Sequence, residues 1–247
     1  NAGQQVLLVI TYDTNVIDRA YPNEQERISA FGIWVKQVAT RYKGVISSYE
    51  IWNEQNTERF WPGVSAVSFK PILKSAYEAI KSIDINNTVV SGGIAPAGDT
   101  ATEVSPVKYV RDMYDNGMNQ YFDALGWHPY SFPSMPYENA SWSMWYMLTE
   151  VRNIMYSHGE QNKKIWFTEF GAPTESDRGI GEDGQFETIR QVVEIARSDS
   201  RLGPIFLYSL IDNDSDANDM EGHFGVYKDN LTPKSSVDKI KKLLGNG

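Results

Sequence analysis

Six apolar, β-branched runs of strand length alternate with six amphipathic stretches of helical period, and an alternation of this kind leaves few architectures open. The runs cover Gln5 to Asp13, Val45 to Asn53, Thr88 to Ile94, Phe122 to His128, Lys164 to Phe170 and Gly203 to Asp212. The helical stretches cover Glu24 to Tyr42, Ser65 to Ile83, Pro106 to Asn116, Ser141 to His158, Gly184 to Arg197 and Lys234 to Leu244. Strands that read as nearly continuous apolar runs, as Val6 to Ile10 does, suit a parallel sheet covered by helices. The expectation is therefore an α/β fold with a parallel sheet, either a (β/α) TIM-type barrel or an open α/β sheet.

Loop lengths say where function should sit. Helix-to-strand connections are short, as at Lys43-Gly44 and Asn162-Lys163, whereas Gln55 to Gly63, Ala95 to Ser105, Ser131 to Ala140, Ala172 to Asp183 and Asn213 to Thr232 are long. All the long ones follow strand C-terminal ends, the face on which α/β folds build their sites. No Pro/Ser linker, fixed-period repeat or compositional shift interrupts the chain, so one domain over 1–247 is expected.

Composition narrows the partners. An excess of 32 Asp+Glu over 23 Lys+Arg gives a formal charge of −9, which repels phosphate backbones and anionic lipid, so neither nucleic acid nor membrane is expected as a partner. The absence of cysteine excludes disulfides, thiol catalysis and cysteine metal sites, and fits an oxidising or a reducing compartment equally. No run reaches the roughly 18 apolar residues of a membrane span, and no charged-then-apolar signal precedes the first strand. The start at Asn1, directly before the apolar run from Val6, reads as that of a cut chain.

Two strand ends carry acids in informative settings. Tyr49-Glu50-Ile51-Trp52-Asn53-Glu54 places an amide and a carboxylate at the end of a strand, and Thr168-Glu169-Phe170-Gly171 repeats the setting three βα units later. A strand-ending glutamate by itself is most often a solvated rim charge. Two of them on one rim can serve glycoside cleavage, in which one carboxyl protonates the leaving oxygen while the other attacks, or activates water at, the anomeric carbon. Unequal surroundings, rather than unequal residue types, would keep one protonated and the other ionised.

Trp-Asn-Glu at 52 to 54 and Thr-Glu-Phe-Gly at 168 to 171 resemble the retaining glycosidases of glycoside hydrolase clan A. With Trp127-His128-Pro129-Tyr130 and His223-Phe224-Gly225-Val226, the chain looks closest to family 39, with family 5 next. The resemblance implies Glu54 as acid/base, Glu169 as nucleophile, Asn53 as the partner of the sugar 2-hydroxyl, and His128 or Tyr130 as the residue that holds Glu169. It implies double displacement on β-linked oligo- or polysaccharide, with carboxyl groups about 5 Å apart, and no cofactor. A polysaccharide substrate would favour a secreted or periplasmic location.

The resemblance also exposes a departure. If Glu54 ends strand four of such a barrel, the six units are strands three to eight, and no residue takes the place of the arginine that strand two normally supplies beside the nucleophile. Eight strands close this barrel, and six leave two sheet edges through which a homo-oligomer could form. The alternative to an active glycosidase is accordingly a truncated or inactive barrel that binds carbohydrate without turnover.

The remaining candidates have bland readings beside the functional ones. Trp61, next to Pro62-Gly63 in a rim loop, is a stacking surface for sugar or a core residue, and Glu50 shares the side-chain parity of Glu54 as support or as an ordinary buried acid. His128 is a site residue or a satisfied structural histidine, while His158 at a helix end is a helix-terminal charge partner. The acidic stretch Asp212, Asp214, Asp216, Asp219 and Glu221 starts like a calcium loop, but Ala217 stands in the turn-glycine position and His223 where the closing glutamate belongs. A solvated rim loop or a sugar contact by Asp212 is expected there rather than a metal.

Overall fold

The computed structural model describes residues 3–11, 23–213, 216 and 218–245. It contains six parallel strands in one sheet whose spatial order equals their order in the chain. These are β1 (Leu7–Ile10), β2 (Ser48–Asn53), β3 (Thr88–Gly93), β4 (Ala124–Trp127), β5 (Lys164–Phe170) and β6 (Leu202–Leu207). Helices α1 (Glu24–Arg41), α2 (Ala66–Ile83), α3 (Pro106–Asp115), α4 (Met144–Ser157), α5 (Gly181–Ser198) and α6 (Ser236–Leu243) alternate with them. The fold is thus of the (β/α) barrel type, with six βα units among the described residues where eight close a barrel.

Element ends moved by a few residues for local reasons. The α1 start is fixed by Asn23, whose side chain accepts from the Gln25 and Glu26 amides, and α2 starts after Ser65, which accepts from the Ser68 amide. The last strand stops at Leu207 rather than Asp212, because the chain leaves the β ladder after the Tyr208 amide has donated to the Phe170 carbonyl at 2.8 Å. Tyr12 and Asp13, the end of the first expected strand, lie outside the described residues.

The residues group into two compact units, Asn1–Trp127 with Glu150–Trp166, and His128–Thr149 with Phe167–Gly247. In the first, β1 pairs with β2 (Leu7 opposite Ser48), β2 with β3 (Ser48 opposite Thr88, Asn53 opposite Gly93) and β3 with β4 (Val90 opposite Ala124). Val35, Phe69, Leu73 and Ile80 on α1 and α2, with Tyr49, Ile51 and Trp127 on the strands, are fully buried, which is the 3.6-residue apolar stripe meeting continuous apolar strands. Gly32 permits the crossing of α1 over α2, since a Cβ there would overlap the Ser75 hydroxyl.

In the second unit, α5 and α6 pack together beneath the loops that follow β5 and β6. Gln185 on α5 is fully buried and donates from Nε2 to the carbonyls of Ala172, Phe224 and Gly225, each at 3.1 Å. The two hydrogens of one amide are thus shared among three loop carbonyls, of which that of Phe224 also accepts from the Ser209 amide.

Candidate active site

Strand β2 delivers Glu54. Tyr49 and Ile51 are fully buried and Glu50 is nearly so, which fixes the strand, and the Glu54 amide continues the ladder by donating to the Gly93 carbonyl at 2.9 Å. The backbone then turns sharply: Trp52 has φ 77° and Glu54 has φ 47°, both in the left-handed region that non-glycine residues rarely occupy. Asn53 lies between them, and Asn53 and Glu54 are both partly exposed.

The turn is held from behind. The Glu54 carbonyl accepts from the Thr57 amide at 2.9 Å and from the Thr57 hydroxyl at 3.0 Å. Gln55 donates to the Gly92 carbonyl at 3.0 Å, and the Asn56 amide accepts from the Ala95 nitrogen at 2.9 Å while donating to the carbonyls of Ala95 and Val104. Both side chains are fully buried. Gly126 on β4 has to be glycine, because a Cβ there would overlap the Ser91 carbonyl and crowd the Glu50 carboxyl.

Trp61 is partly exposed, but its indole belongs to a cluster: it packs edge-on against Trp52 at 5.2 Å and Phe69 at 5.3 Å and donates to the Ser68 hydroxyl at 2.9 Å. Trp52 donates to the Phe60 carbonyl at 2.8 Å. The aromatic residues of this rim brace the loop after β2.

In the second unit, β5 delivers Glu169 as its penultimate residue, with a side chain 29% exposed. The Tyr130 hydroxyl donates to its Oε2 at 2.8 Å, while His128 Nδ1 stands 3.8 Å from the same oxygen, beyond hydrogen-bond length. His128 is buried, while Tyr130 and Glu169 are partly exposed. The Tyr130 ring meets Phe132 at 6.0 Å and Phe224 at 5.8 Å, both edge-on. At Gly171 a Cβ would overlap the Tyr208 carbonyl, so only glycine lets the end of β5 approach the segment after β6.

Asp212 occupies a different setting from an open rim. It is 7% exposed, and its Oδ1 accepts from Lys234 Nζ at 2.9 Å and from the Gly225 amide at 2.8 Å. His223 is also buried, with Nε2 bonded to the Asp216 carbonyl at 2.7 Å and Nδ1 4.0 Å from Asp212 Oδ2. Asp214 lies outside the described residues. His158 directly follows α4, with Nδ1 3.0 Å from the Ile154 carbonyl of that helix's last turn and Nε2 3.9 Å from Asp115 Oδ1.

Sequence reasoning passed over the buried amides Gln55, Asn56 and Gln185 and the cation Lys234. The run Asn53-Glu54-Gln55-Asn56, three amides around one acid directly after a strand, was the signal available for the first two.

The profile of the cellulase family, glycosyl hydrolase family 5, matches residues 1–206. The chain belongs to that family. Among solved structures, a family 39 glycoside hydrolase from the gut symbiont Bacteroides cellulosilyticus WH2 superimposes with TM-score 0.75 at 19% identity over 98% of this chain and 50% of that one. A family 39 enzyme from Xanthomonas axonopodis pv. citri gives 0.62 at 16% identity, over 90% of this family 5 chain and 46% of its own. A family 128 (subgroup II) endo-β-1,3-glucanase from Sorangium cellulosum gives 0.63 at 16% identity, over 96% and 79%. No curated protein matches in sequence. These likenesses show a shared fold, and the family 5 chain spans half the length of the Bacteroides enzyme and less than half that of the Xanthomonas enzyme.

Proposed function

We propose that this family 5 chain is a retaining glycoside hydrolase acting on β-linked oligo- or polysaccharide. The observation that carries the reading is Glu169: a partly exposed carboxylate at the end of a strand, with one oxygen held by the Tyr130 hydroxyl at 2.8 Å. Membership in a family described as cellulase supports the substrate class and makes β-glucans the first substrates to test.

The reaction has two steps. Glu54, as acid, gives its proton to the glycosidic oxygen while a Glu169 carboxylate oxygen bonds to the anomeric carbon and the aglycone leaves as the alcohol. Glu54, now a carboxylate, then takes a proton from water, whose oxygen displaces Glu169 and releases the sugar with its original configuration. Asn53 beside the acid contacts the sugar 2-hydroxyl. Tyr130 aims the nucleophile by fixing one of its oxygens, and His128 closes the wall behind it. Trp61 and Asp212 act on substrate through the loops that they hold.

The test is release of reducing ends from β-glucans, β-xylans, β-mannans and aryl β-glycosides, with the anomer of the first product read by NMR. Glu54→Gln and Glu169→Gln are each expected to abolish turnover, a loss of about 10⁴-fold or more. Initial release of the inverted anomer would overturn the nucleophile role of Glu169. Binding of glycans by a folded native chain that turns over none of them would replace the whole reading with a carbohydrate-binding one.

A further inference from the structure

Lys234 is a buried cation that the chemistry above does not use. Its side chain is 2% exposed, and Nζ donates to Asp212 Oδ1 at 2.9 Å, to the Thr174 hydroxyl at 2.7 Å and to the His223 carbonyl at 3.3 Å. All three ammonium hydrogens are thereby used. The acceptors come from separate segments of the second unit: the loop after β5, the loop after β6 and the helical turn Met220–His223.

Buried ion pairs rarely add net stability over apolar residues of the same size, so their directional hydrogen bonds are the feature with consequences. Here the direction leads to one peptide. Asp212 Oδ1, held by Lys234, also accepts from the Gly225 amide, and Gln185 grips the Phe224 and Gly225 carbonyls from the other side. Phe224 is therefore set on both flanks. Its ring packs edge-on against Tyr130, Phe132 and Tyr208 at 5.4 to 5.8 Å, and Tyr130 donates to Glu169.

We propose that Lys234 is a positioning residue for Glu169, acting through Asp212, the Phe224–Gly225 peptide and the ring of Tyr130. The inference rests on the reading of Glu169 as nucleophile. It assigns to a lysine without access to substrate the task of keeping the Tyr130 hydroxyl on the carboxylate. An ion pair that only braced the loops would leave that contact in place when lost.

The experiment compares Lys234→Met with Tyr130→Phe and with the two changes together, using Lys163→Met as a destabilised control. Lys163, ion-paired with Glu160 in the first unit, is another lysine with a largely buried side chain. Lys234→Met is expected to lower kcat on the order of tenfold to a hundredfold with KM nearly unchanged. Combined with Tyr130→Phe it should cost little beyond Tyr130→Phe alone, because both changes break one contact. Its crystal structure should show the Tyr130–Glu169 oxygens beyond 3.5 Å, with the contact intact in Lys163→Met. If Lys234→Met does not fold, Lys234→Met with Asp212→Leu, which leaves no buried charge, reads the same distance. Losses that multiply, or a contact still at 2.8 Å in the variant, would overturn the proposal. A native chain without turnover would sink the glycosidase reading, and the crystallographic distance would still decide the coupling.

Discussion

Replacing Asn56 by alanine should destabilise the chain out of proportion to the few atoms removed. The Asn56 amide accepts from the Ala95 nitrogen and donates to the Ala95 carbonyl, each at 2.9 Å, and Asn56 and Ala95 are both buried. Losing the amide leaves two dry backbone groups without partners, at about 1–3 kcal/mol each, so about 2–6 kcal/mol in all. The third contact, to Val104, is partly exposed and can be taken over by water. Against a typical stability of about 5–15 kcal/mol this is a large share. Urea unfolding followed by tryptophan fluorescence reads it: with a slope of about 3 kcal/mol/M, the midpoint should fall by about 0.7–2 M at unchanged slope. Asn56→Asp should fare no better, because it keeps the acceptor but sets a carboxylate against two carbonyls. A midpoint shift under about 0.3 M for Asn56→Ala would refute the argument and mean that the loop finds other partners for these groups.

Two further outcomes follow from local geometry. Gly171→Ala should cost about 1–3 kcal/mol in the same unfolding assay, since its Cβ would meet the backbone carbonyl of Tyr208 rather than a side chain that can swing away, and an unchanged midpoint would contradict the close approach. On α5, hydrogen bonds from Arg190 and then Gln191 bring the Glu187 carboxyl down to about 2, below its ordinary value near 4.3. A depressed folded value contributes stability above pH about 4.3 that is lost as pH falls toward about 2, so Glu187→Gln should flatten the decline across that window, modestly because the pair is about one-third exposed. A decline as steep as in the native chain would count against it.

Much of the fold was legible because it depends on patterns within a segment. The six strands and six helices of the described residues were visible as apolar runs and helical stripes, and the acids at 54 and 169 as strand endings. What escaped were pairings across distance. Nothing near Asp212 in sequence announces Lys234, 22 residues on, yet that lysine turns an acid expected on an open rim into half of a buried ion pair. Trp61 was open in sequence between a sugar-stacking face and a core residue, and Trp52 and Phe69, set by the strand and by α2, pack edge-on against its partly exposed ring. Asn56 and Gln185 look like ordinary polar residues until the carbonyls around them are known. The approach of Tyr130 to Glu169 was named as one of two options from the resemblance, and geometry separates the tyrosine at 2.8 Å from the histidine at 3.8 Å.

The left-handed backbone at Glu54 bears on how such a chain can be improved. A non-glycine residue there forgoes roughly 1–3 kcal/mol that glycine would recover without strain. An engineer ranking substitutions by melting temperature alone would thus be led to position 54 and, on the proposed reading of Glu54, would obtain a hardier protein by deleting its reagent. Thermostable descendants of this chain should be sought elsewhere, with position 54 held constant from the outset.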